Sequence, residues 1–246
     1  MATTKRLRIF AGPNGSGKST ITQIVSKHVD LGHYVNADEI KKYLTLHRYL
    51  DFADYSVALD SDKFAMAFRA STLSNRIRDI DCTLAHISFS KTRLLLDDAY
   101  VIEDYFVSFI TSYIWTELLD SANKFTIETV MSHPSKLEFM RLAKERGFKV
   151  YLYFVSLADP ELNKHRVWTR IMQGGHPVAE DKIVTRYNRT MDNLYDALKL
   201  ADNAYLFDNS ACVPNLFATK ERDTLTIQND SIPKWFTAYV LDKTSQ

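Results

Sequence analysis

The sequence is poor in cysteine and has no excess of charge of either sign. Its two cysteines, Cys82 and Cys212, lie far apart and form neither a metal-binding nor a redox pair, which favours a reducing, cytoplasmic setting. The 31 basic and 30 acidic side chains give a net charge of +1, so no general electrostatic attraction draws the chain to nucleic acid. A nucleic-acid partner is therefore not expected.

Long hydrophobic runs are also missing. The longest apolar-rich stretch runs from Tyr100 to Leu119, and three carboxylates interrupt it, at Glu103, Asp104 and Glu117. No run reaches the roughly 20 apolar residues that a membrane span needs. Residues 1–8 carry three basic side chains but lead into a glycine-rich loop rather than an apolar signal segment. We therefore expect no membrane partner.

Neither glycine nor proline occurs between Asp51 and Asp120. Helical patterns run through this stretch without a strong breaker, so it predicts several helices. Elsewhere strands alternate with helices, and 46% apolar residues supply enough material for a sizeable core. The pattern predicts one α/β domain over residues 1–246, with a mainly parallel sheet, right-handed crossovers and a helical insertion at about 51–120.

Local signals predict most element positions. Strands are predicted at 6–12, 32–36, 124–130, 148–157 and 204–208, helices at 18–29, 38–46 and 183–198, and a C-terminal hairpin at 215–228. Pro134 is expected to open one further helix and Gly147 to close it. Asp159 is expected to cap another helix, with Pro160 at its first position.

The most specific motif is the stretch Gly12-Pro13-Asn14-Gly15-Ser16-Gly17-Lys18-Ser19-Thr20. It matches G-x-x-x-x-G-K-[ST], the phosphate-binding loop (P-loop), and lies between a predicted strand and a predicted helix, as this motif requires. Its backbone N–H groups and the helix N-terminus would surround phosphate oxygens. Lys18 is expected to reach the β- and γ-phosphates, and the Ser19 hydroxyl to hold Mg²⁺. The alternative is a glycine-rich turn with an exposed lysine; the pattern and its context favour binding of a nucleoside triphosphate.

Two carboxylates follow predicted strands. Asp38 lies where residues at the carboxyl ends of parallel strands line a ligand crevice, so it can accept a proton from an attacking hydroxyl. It can equally cap the helix that starts at Glu39, and the two roles can coexist. Glu128 can bind substrate hydroxyls, hold a metal-bound water or simply be solvated. No obvious strand supplies a separate Walker B aspartate, so Mg²⁺ is expected to rest on Ser19, substrate phosphates and water.

Arginines cluster late in the chain. Arg166 and Arg170 are four residues apart and share one helix face, where they could neutralise a transferring phosphoryl group. The alternative is a solvated basic face. The break at Gly174-Gly175-His176 favours phosphate contact, because it places a flexible turn beside the arginines, as in a lid. Arg186 lies on the following helix, and the pattern does not choose among the three.

These motifs together resemble the zeta toxin family of P-loop kinases. The resemblance rests on the loop at 12–20, Asn-Ala-Asp-Glu-Ile at 36–40, Ile-Glu-Thr at 127–129, Gly-Gly-His at 174–176, Arg-Tyr at 186–187 and Asp-Asn-Ser at 208–210. The blocks span most of residues 6–210. The resemblance implies a three-layer kinase-type fold and ATP- and Mg²⁺-dependent phosphorylation of a hydroxyl on a small molecule, with UDP-N-acetylglucosamine the best-known family acceptor. It also makes an antitoxin protein a candidate partner.

Site roles carry over by position. The resemblance makes Asp38 the general base, Lys18 and Ser19 the ATP and Mg²⁺ residues, and Glu128 with Thr129 the acceptor side. Arg166 matches the first phosphate-binding arginine, with Arg170 its near competitor. The second arginine has no clean match in the Gly-Gly-His turn, so Arg186 and Arg170 are both candidates for it. Val130 departs from the family pattern, which has a small hydroxyl residue there, and this concerns the acceptor more than the reaction. A nucleic-acid end kinase and a nucleotide-dependent switch are the alternatives that share the P-loop.

Overall fold

The structure is a computed structural model that describes residues 4–77, 79–174, 178–229 and 231–244. It divides into two compact units, the first formed by Met1–Gly32 with Glu128–Gln246 and the second by His33–Ile127. Within the described ranges, no helix has the length and apolar character needed to cross a bilayer. The single domain expected from the sequence stays a prediction.

The described residues form an α/β chain. The strands are β1 (Lys5–Ala11), β2 (His33–Asn36), β3 (Tyr49–Asp51), β4 (Ile87–Ser90), β5 (Arg93–Leu96), β6 (Lys124–Thr129), β7 (Phe148–Ser156), β8 (Asn203–Asp208), β9 (Asn215–Glu221) and β10 (Thr224–Ile227). The main helices are α1 (Lys18–Ser26), α2 (Ala37–His47), α3 (Ser61–Ala70), α4 (Ile80–Ala85), α5 (Asp104–Ser121), α6 (Ser135–Glu145), α7 (Pro160–Met172) and α8 (Glu180–Leu200). Near the C-terminus, Lys234–Phe236, Thr237–Leu241 and Asp242–Thr244 form consecutive helical turns, the second of π type.

The first unit is built on a sheet in the order β10-β9-β8-β7-β1. The pairs β1–β7 and β7–β8 are parallel, with Ala11 opposite Phe154 and Ser156 opposite Asp208. Strands β9 and β10 add an antiparallel hairpin beside β8. Because β1, β7 and β8 run parallel, the residues that follow their carboxyl ends meet at one edge of the sheet. The mainly parallel α/β fold predicted from the sequence is confirmed.

Apolar strand residues form the core of this unit. Leu7, Val150 and Leu152 are completely buried, as are Ala204 and Leu206. Helix α6 packs against β7 and α8, and the predicted apolar stripe of α8 is buried at Ile183, Tyr187, Met191, Leu194 and Leu198. This rigid packing fixes the strand ends that carry the loops described below.

The second unit contains β2 beside β6, a three-stranded antiparallel sheet in the order β3-β5-β4, and helices α2 to α5. An aromatic cluster includes Phe52, Phe64 and Phe109. The rings of Phe52 and Phe109 each meet the ring of Phe64 edge to face, and Phe109 lies on α5. The stretch at 51–120 is therefore not purely helical, since β4 and β5 form a hairpin inside it. Lys91 takes φ +53 in the hairpin turn, a position where glycine or asparagine would have given the usual sequence signal.

Most predicted boundaries are confirmed. Asp159 caps α7, accepting hydrogen bonds from the backbone N–H groups of Glu161 (2.9 Å) and Leu162 (3.1 Å), with Pro160 first in the helix. Gly147 follows α6 at φ +80. Helix α1 is shorter than predicted and ends at Ser26.

Candidate active site

The loop between β1 and α1 has the curvature of a phosphate-binding loop. Gly12 takes φ +147 and Gly17 takes φ +94, both in the region that favours glycine. A Cβ on Gly12 would lie 2.0 Å from the carbonyl oxygen of Val155, and one on Gly17 would lie 2.1 Å from Nδ2 of Asn209. The loop backbone is therefore packed too closely against β7 and the residues after β8 for any other side chain.

Lys18 starts α1 and is folded onto the loop. Only 8% of the residue is exposed, and its Nζ donates to the carbonyl oxygens of Gly12 (3.0 Å) and Pro13 (3.1 Å). The first turn of α1 contains no acidic residue, so nothing in that turn offsets the partial positive charge of the helix N-terminus. Ser16 is fully buried, and among the described residues its Oγ has no hydrogen-bond partner. These groups fit the charge and the hydrogen-bonding needs of a polyphosphate.

Ser19 meets a carboxylate from a distant part of the sequence. The Ser19 hydroxyl lies 3.4 Å from both Oε1 and Oε2 of Glu128, next to the last residue of β6. Ser19 is exposed and Glu128 is half-buried. One hydroxyl and one carboxylate at the mouth of the loop fit a divalent cation whose remaining ligands are phosphate oxygens and water. The hydroxyl of Thr129, the next residue, instead accepts a hydrogen bond from the backbone N–H of Met131 (3.1 Å).

Two asparagine side chains brace the loop through its backbone carbonyl oxygens. Asn163 of α7 is fully buried, and its Nδ2 donates to the carbonyl oxygen of Asn14 (2.6 Å). Asn209, just after β8, donates from Nδ2 to the carbonyl oxygen of Ser16 (2.8 Å). Sequence reasoning missed Asn163. The available signal was its position four residues before Val167, which puts both side chains on one helix face, and both are buried in the structure.

The residues around Asn209 are themselves tied down. Asp208 accepts from the indole Nε1 of Trp235 (2.8 Å) and from the backbone N–H of Ser210 (2.9 Å). The hydroxyl of Ser210 accepts from the backbone N–H of Ala158 (2.8 Å). The Asp-Asn-Ser block at 208–210 thus lies against the P-loop, and the C-terminal helical turns help to fix it there.

The arginines differ in position. Arg166 is half-buried, its Nη2 donates to the carbonyl oxygen of Asn209 (2.7 Å), and its Nη1 is 3.9 Å from where a Cβ on Gly17 would lie. Arg170 is exposed one turn further along α7, and Arg186 is half-buried on α8. Of the predicted turn, Gly174 follows α7, whereas Gly175 and His176 lie outside the described residues. The structure therefore places Arg166 beside the P-loop.

Asp38 belongs to the second unit, and its predicted capping role is wrong. Helix α2 begins at Ala37, and its cap is Asn36, whose Oδ1 accepts from the backbone N–H of Asp38 (2.8 Å). The reason is that asparagine one position before the first helical residue offers a better-placed oxygen than a side chain already inside the first turn. The exposed Asp38 carboxylate is not used for this cap, and its role as a base stays a prediction.

Two groups near these elements have shifted pKa values. Burial lowers the pKa of Lys136, at the start of α6, to about 8. Burial also raises the pKa of Tyr187 to about 12, and its hydroxyl donates to the carbonyl oxygen of Leu157 (3.1 Å). Tyr187, one half of the Arg-Tyr block, therefore stays protonated and ties α8 to the end of β7.

Replacing Asn163 with alanine should weaken both the fold and nucleotide binding. The change leaves the carbonyl oxygen of Asn14 without this donor in a partly buried position, which costs about 1 kcal/mol of unfolding free energy. We also expect several-fold weaker ATP binding, because the loop loses one of its two braces. Urea unfolding and calorimetry measure the two effects, with the exposed Thr169→Ala on the same helix as control. Unchanged affinity in a destabilised variant would contradict the bracing role.

Comparison with known proteins adds few sequence relatives. No protein-family model matches the chain. An uncharacterized protein of Haemophilus influenzae (strain ATCC 51907 / DSM 11121 / KW20 / Rd) is 26% identical over 178 residues, which cover 72% of this chain and 89% of that protein. This relative carries no functional description that could be transferred.

Solved structures share the fold. A chain of the AvrRxo1-ORF1:AvrRxo1-ORF2 complex, determined with sulphate ions, aligns with a TM-score of 0.52 at 16% identity. The alignment covers 92% of this chain and 62% of the AvrRxo1 chain. A chain from the PezAT chromosomal toxin–antitoxin system of Streptococcus pneumoniae aligns with a TM-score of 0.48 at 15% identity, over 87% of this chain and 71% of that one. At such identities the similarity concerns the fold. The chain therefore shares the α/β fold of the AvrRxo1-ORF1:AvrRxo1-ORF2 chain, with a mainly parallel central sheet.

Proposed function

We propose that this protein is an ATP-dependent phosphotransferase that moves the γ-phosphoryl group to a hydroxyl of a small molecule. The observation that carries the proposal is the convergence of unlike groups on one P-loop. Lys18 lies over the loop carbonyls, Arg166 lies beside Gly17, and the Ser19 hydroxyl faces a carboxylate. Cations and a hydroxyl–carboxylate pair around a phosphate cradle are the parts that phosphoryl transfer requires.

Each residue has a definite task in this proposal. Lys18 and Arg166 neutralise negative charge that spreads over the transferring group, and they are already oriented by their contacts with the protein. Bound Mg²⁺, held on the Ser19 side, would supply further neutralisation of the phosphate oxygens. Asp38 accepts the proton of the acceptor hydroxyl as its oxygen forms a bond to the γ-phosphorus. The bond from that phosphorus to the β,γ-bridging oxygen breaks, and its electron pair leaves with ADP.

The acceptor proposed first is a nucleotide sugar such as UDP-N-acetylglucosamine, on the strength of the sequence resemblance. Incubation with γ-labelled ATP and Mg²⁺ tests this acceptor against a 5′-hydroxyl oligonucleotide. Label in the sugar nucleotide supports the proposal, and label at the oligonucleotide end would make the protein a nucleic-acid end kinase. An antitoxin stays a predicted partner, which also rests on the resemblance.

A further inference from the structure

We propose that Trp235, in the helical turns near the C-terminus, is a positioning residue for Arg166 and so sets how strongly the site prefers ATP over ADP. It acts through Asp208 and Asn209, which link its indole to the Arg166 guanidinium. The inference rests on the proposed function, because it presumes that Arg166 contacts the γ-phosphate. Trp235 lies outside residues 6–210, the stretch on which the sequence resemblance rests.

Packing holds the indole of Trp235 in one orientation. Only 4% of the residue is exposed, and its ring lies against the rings of Phe154 on β7 (5.9 Å between centroids) and Phe217 on β9 (5.4 Å). The Nε1–H therefore has a fixed direction, and it donates to Oδ2 of Asp208 (2.8 Å). A hydrogen bond to a charged acceptor is roughly twice as strong as a neutral one, so this contact fixes the carboxylate at the end of β8.

The Asp208 carboxylate in turn fixes the backbone of Asn209. Its second oxygen, Oδ1, accepts from the backbone N–H of Ser210 (2.9 Å), so the carboxylate closes a turn around the residue between them. Asn209 is 6% exposed, and its backbone N–H donates to the carbonyl oxygen of Ser156 on β7 (2.9 Å). The carbonyl group of Asn209 is therefore held in place by contacts on both sides of it.

This carbonyl group orients Arg166. Its oxygen accepts from Nη2 (2.7 Å), while Cβ of Arg166 lies 3.5 Å from where a Cβ on Gly15 would lie and Nη1 lies 3.9 Å from the same position on Gly17. The side chain thus runs along the P-loop. Because the guanidinium is a rigid planar fork, fixing its stem and one N–H also fixes the direction of its other donors.

An arginine that is oriented before nucleotide arrives loses less conformational entropy when it binds phosphate. If the Trp235–Asp208 bond is removed, the turn at Asn209 loosens and Arg166 must be ordered by the ligand instead. ADP has no γ-phosphate, so this loss should weaken the binding of ATP more than the binding of ADP. The ratio of the two affinities therefore reports on the position of Arg166.

Calorimetry with a non-hydrolysable ATP analogue and with ADP, both in Mg²⁺, tests the inference. Trp235→Phe keeps an aromatic ring but removes the donor, and we expect it to lower the affinity ratio by about three- to tenfold, the net effect of one hydrogen bond. Arg166→Ala should lower the ratio by about 10- to 100-fold, because a charged donor is lost. Adding Trp235→Phe to Arg166→Ala should then cause no further loss, since its effect passes through that guanidinium.

Trp168→Phe, the same substitution at an exposed tryptophan of α7, is the matched control and should keep the wild-type ratio. If Trp235→Phe does not fold, Asp208→Asn carries the cycle, because it keeps the shape of the side chain but removes the charge that holds the indole.

A merely structural role for Trp235 would leave the ratio unchanged, or lower it equally with and without the Arg166 side chain. Either result would overturn the inference while leaving the proposed function intact, and so would a wild-type ratio in Arg166→Ala. If the wild type bound neither nucleotide, the proposed function itself would fail.

Discussion

Replacing Asp38 with asparagine is expected to slow phosphoryl transfer by roughly 10²- to 10⁴-fold, the usual contribution of a general base. Asparagine has nearly the same shape but cannot accept the proton of the attacking hydroxyl. The helix that carries it should be unaffected, because α2 is capped by the Asn36 side chain, whose hydrogen bond to residue 38 is with the backbone N–H and not with the side chain. The exposed side chain also adds no buried contact that the change could remove.

Single-turnover rates and ATP calorimetry on the same Asp38→Asn preparation separate chemistry from binding. ATP affinity should stay within about twofold of the wild type, since the proton acceptor acts on the hydroxyl and not on the nucleotide. Asp62→Asn is the matched control, because Asp62 is likewise an exposed aspartate in the first turn of a helix in the second unit. Transfer at the wild-type rate by Asp38→Asn would show that the base assignment is wrong.

Lys18→Ala should have the second large effect, and here binding and transfer fall together. Losing one charged hydrogen-bond donor to phosphate costs about 1.5–3 kcal/mol, or roughly a 10- to 100-fold loss of ATP affinity. Transfer should fall further, because the ammonium group also meets charge that develops in the transition state. The 8% exposure of Lys18 and its two contacts to loop carbonyls show that the group is held in place before any nucleotide arrives.

The control for Lys18 is Lys27→Ala, an exposed lysine at the other end of the same helix. Circular dichroism should show that both variants remain folded. An unchanged calorimetric affinity in Lys18→Ala would remove the assigned phosphate contact, even if activity were lost.

Local chemistry made a large part of the fold predictable. The P-loop pattern located β1 and α1, because its glycines and its lysine have a fixed relation to a strand end and a helix start. Asp159 and Pro160 marked the start of α7, since their preferences act within one helical turn. The apolar stripe of α8 and the continuous apolar run of β7 were equally local signals.

Contacts between distant residues were not predictable from one sequence. Ser19 and Glu128 are 109 positions apart, and Asn163 is 149 positions from Asn14. No periodicity encodes such pairs, because they form only when packing brings residues from distant helices, strands and loops together. The hairpin at Lys91 was missed because its turn has lysine where glycine or asparagine is the usual signal. The cap at Asn36 was missed because Asp38, two positions later, is also a common capping residue type.

Transfer of the γ-phosphate to an organic hydroxyl can be measured by following that phosphate. The wild type is incubated with γ-labelled ATP, Mg²⁺ and a small-molecule extract, and the labelled products are separated. We expect a new labelled metabolite that is absent with Asp38→Asn and Lys18→Ala. Label found only in inorganic phosphate, at equal rates with and without the extract, would contradict it and identify a nucleotide-hydrolysing switch instead.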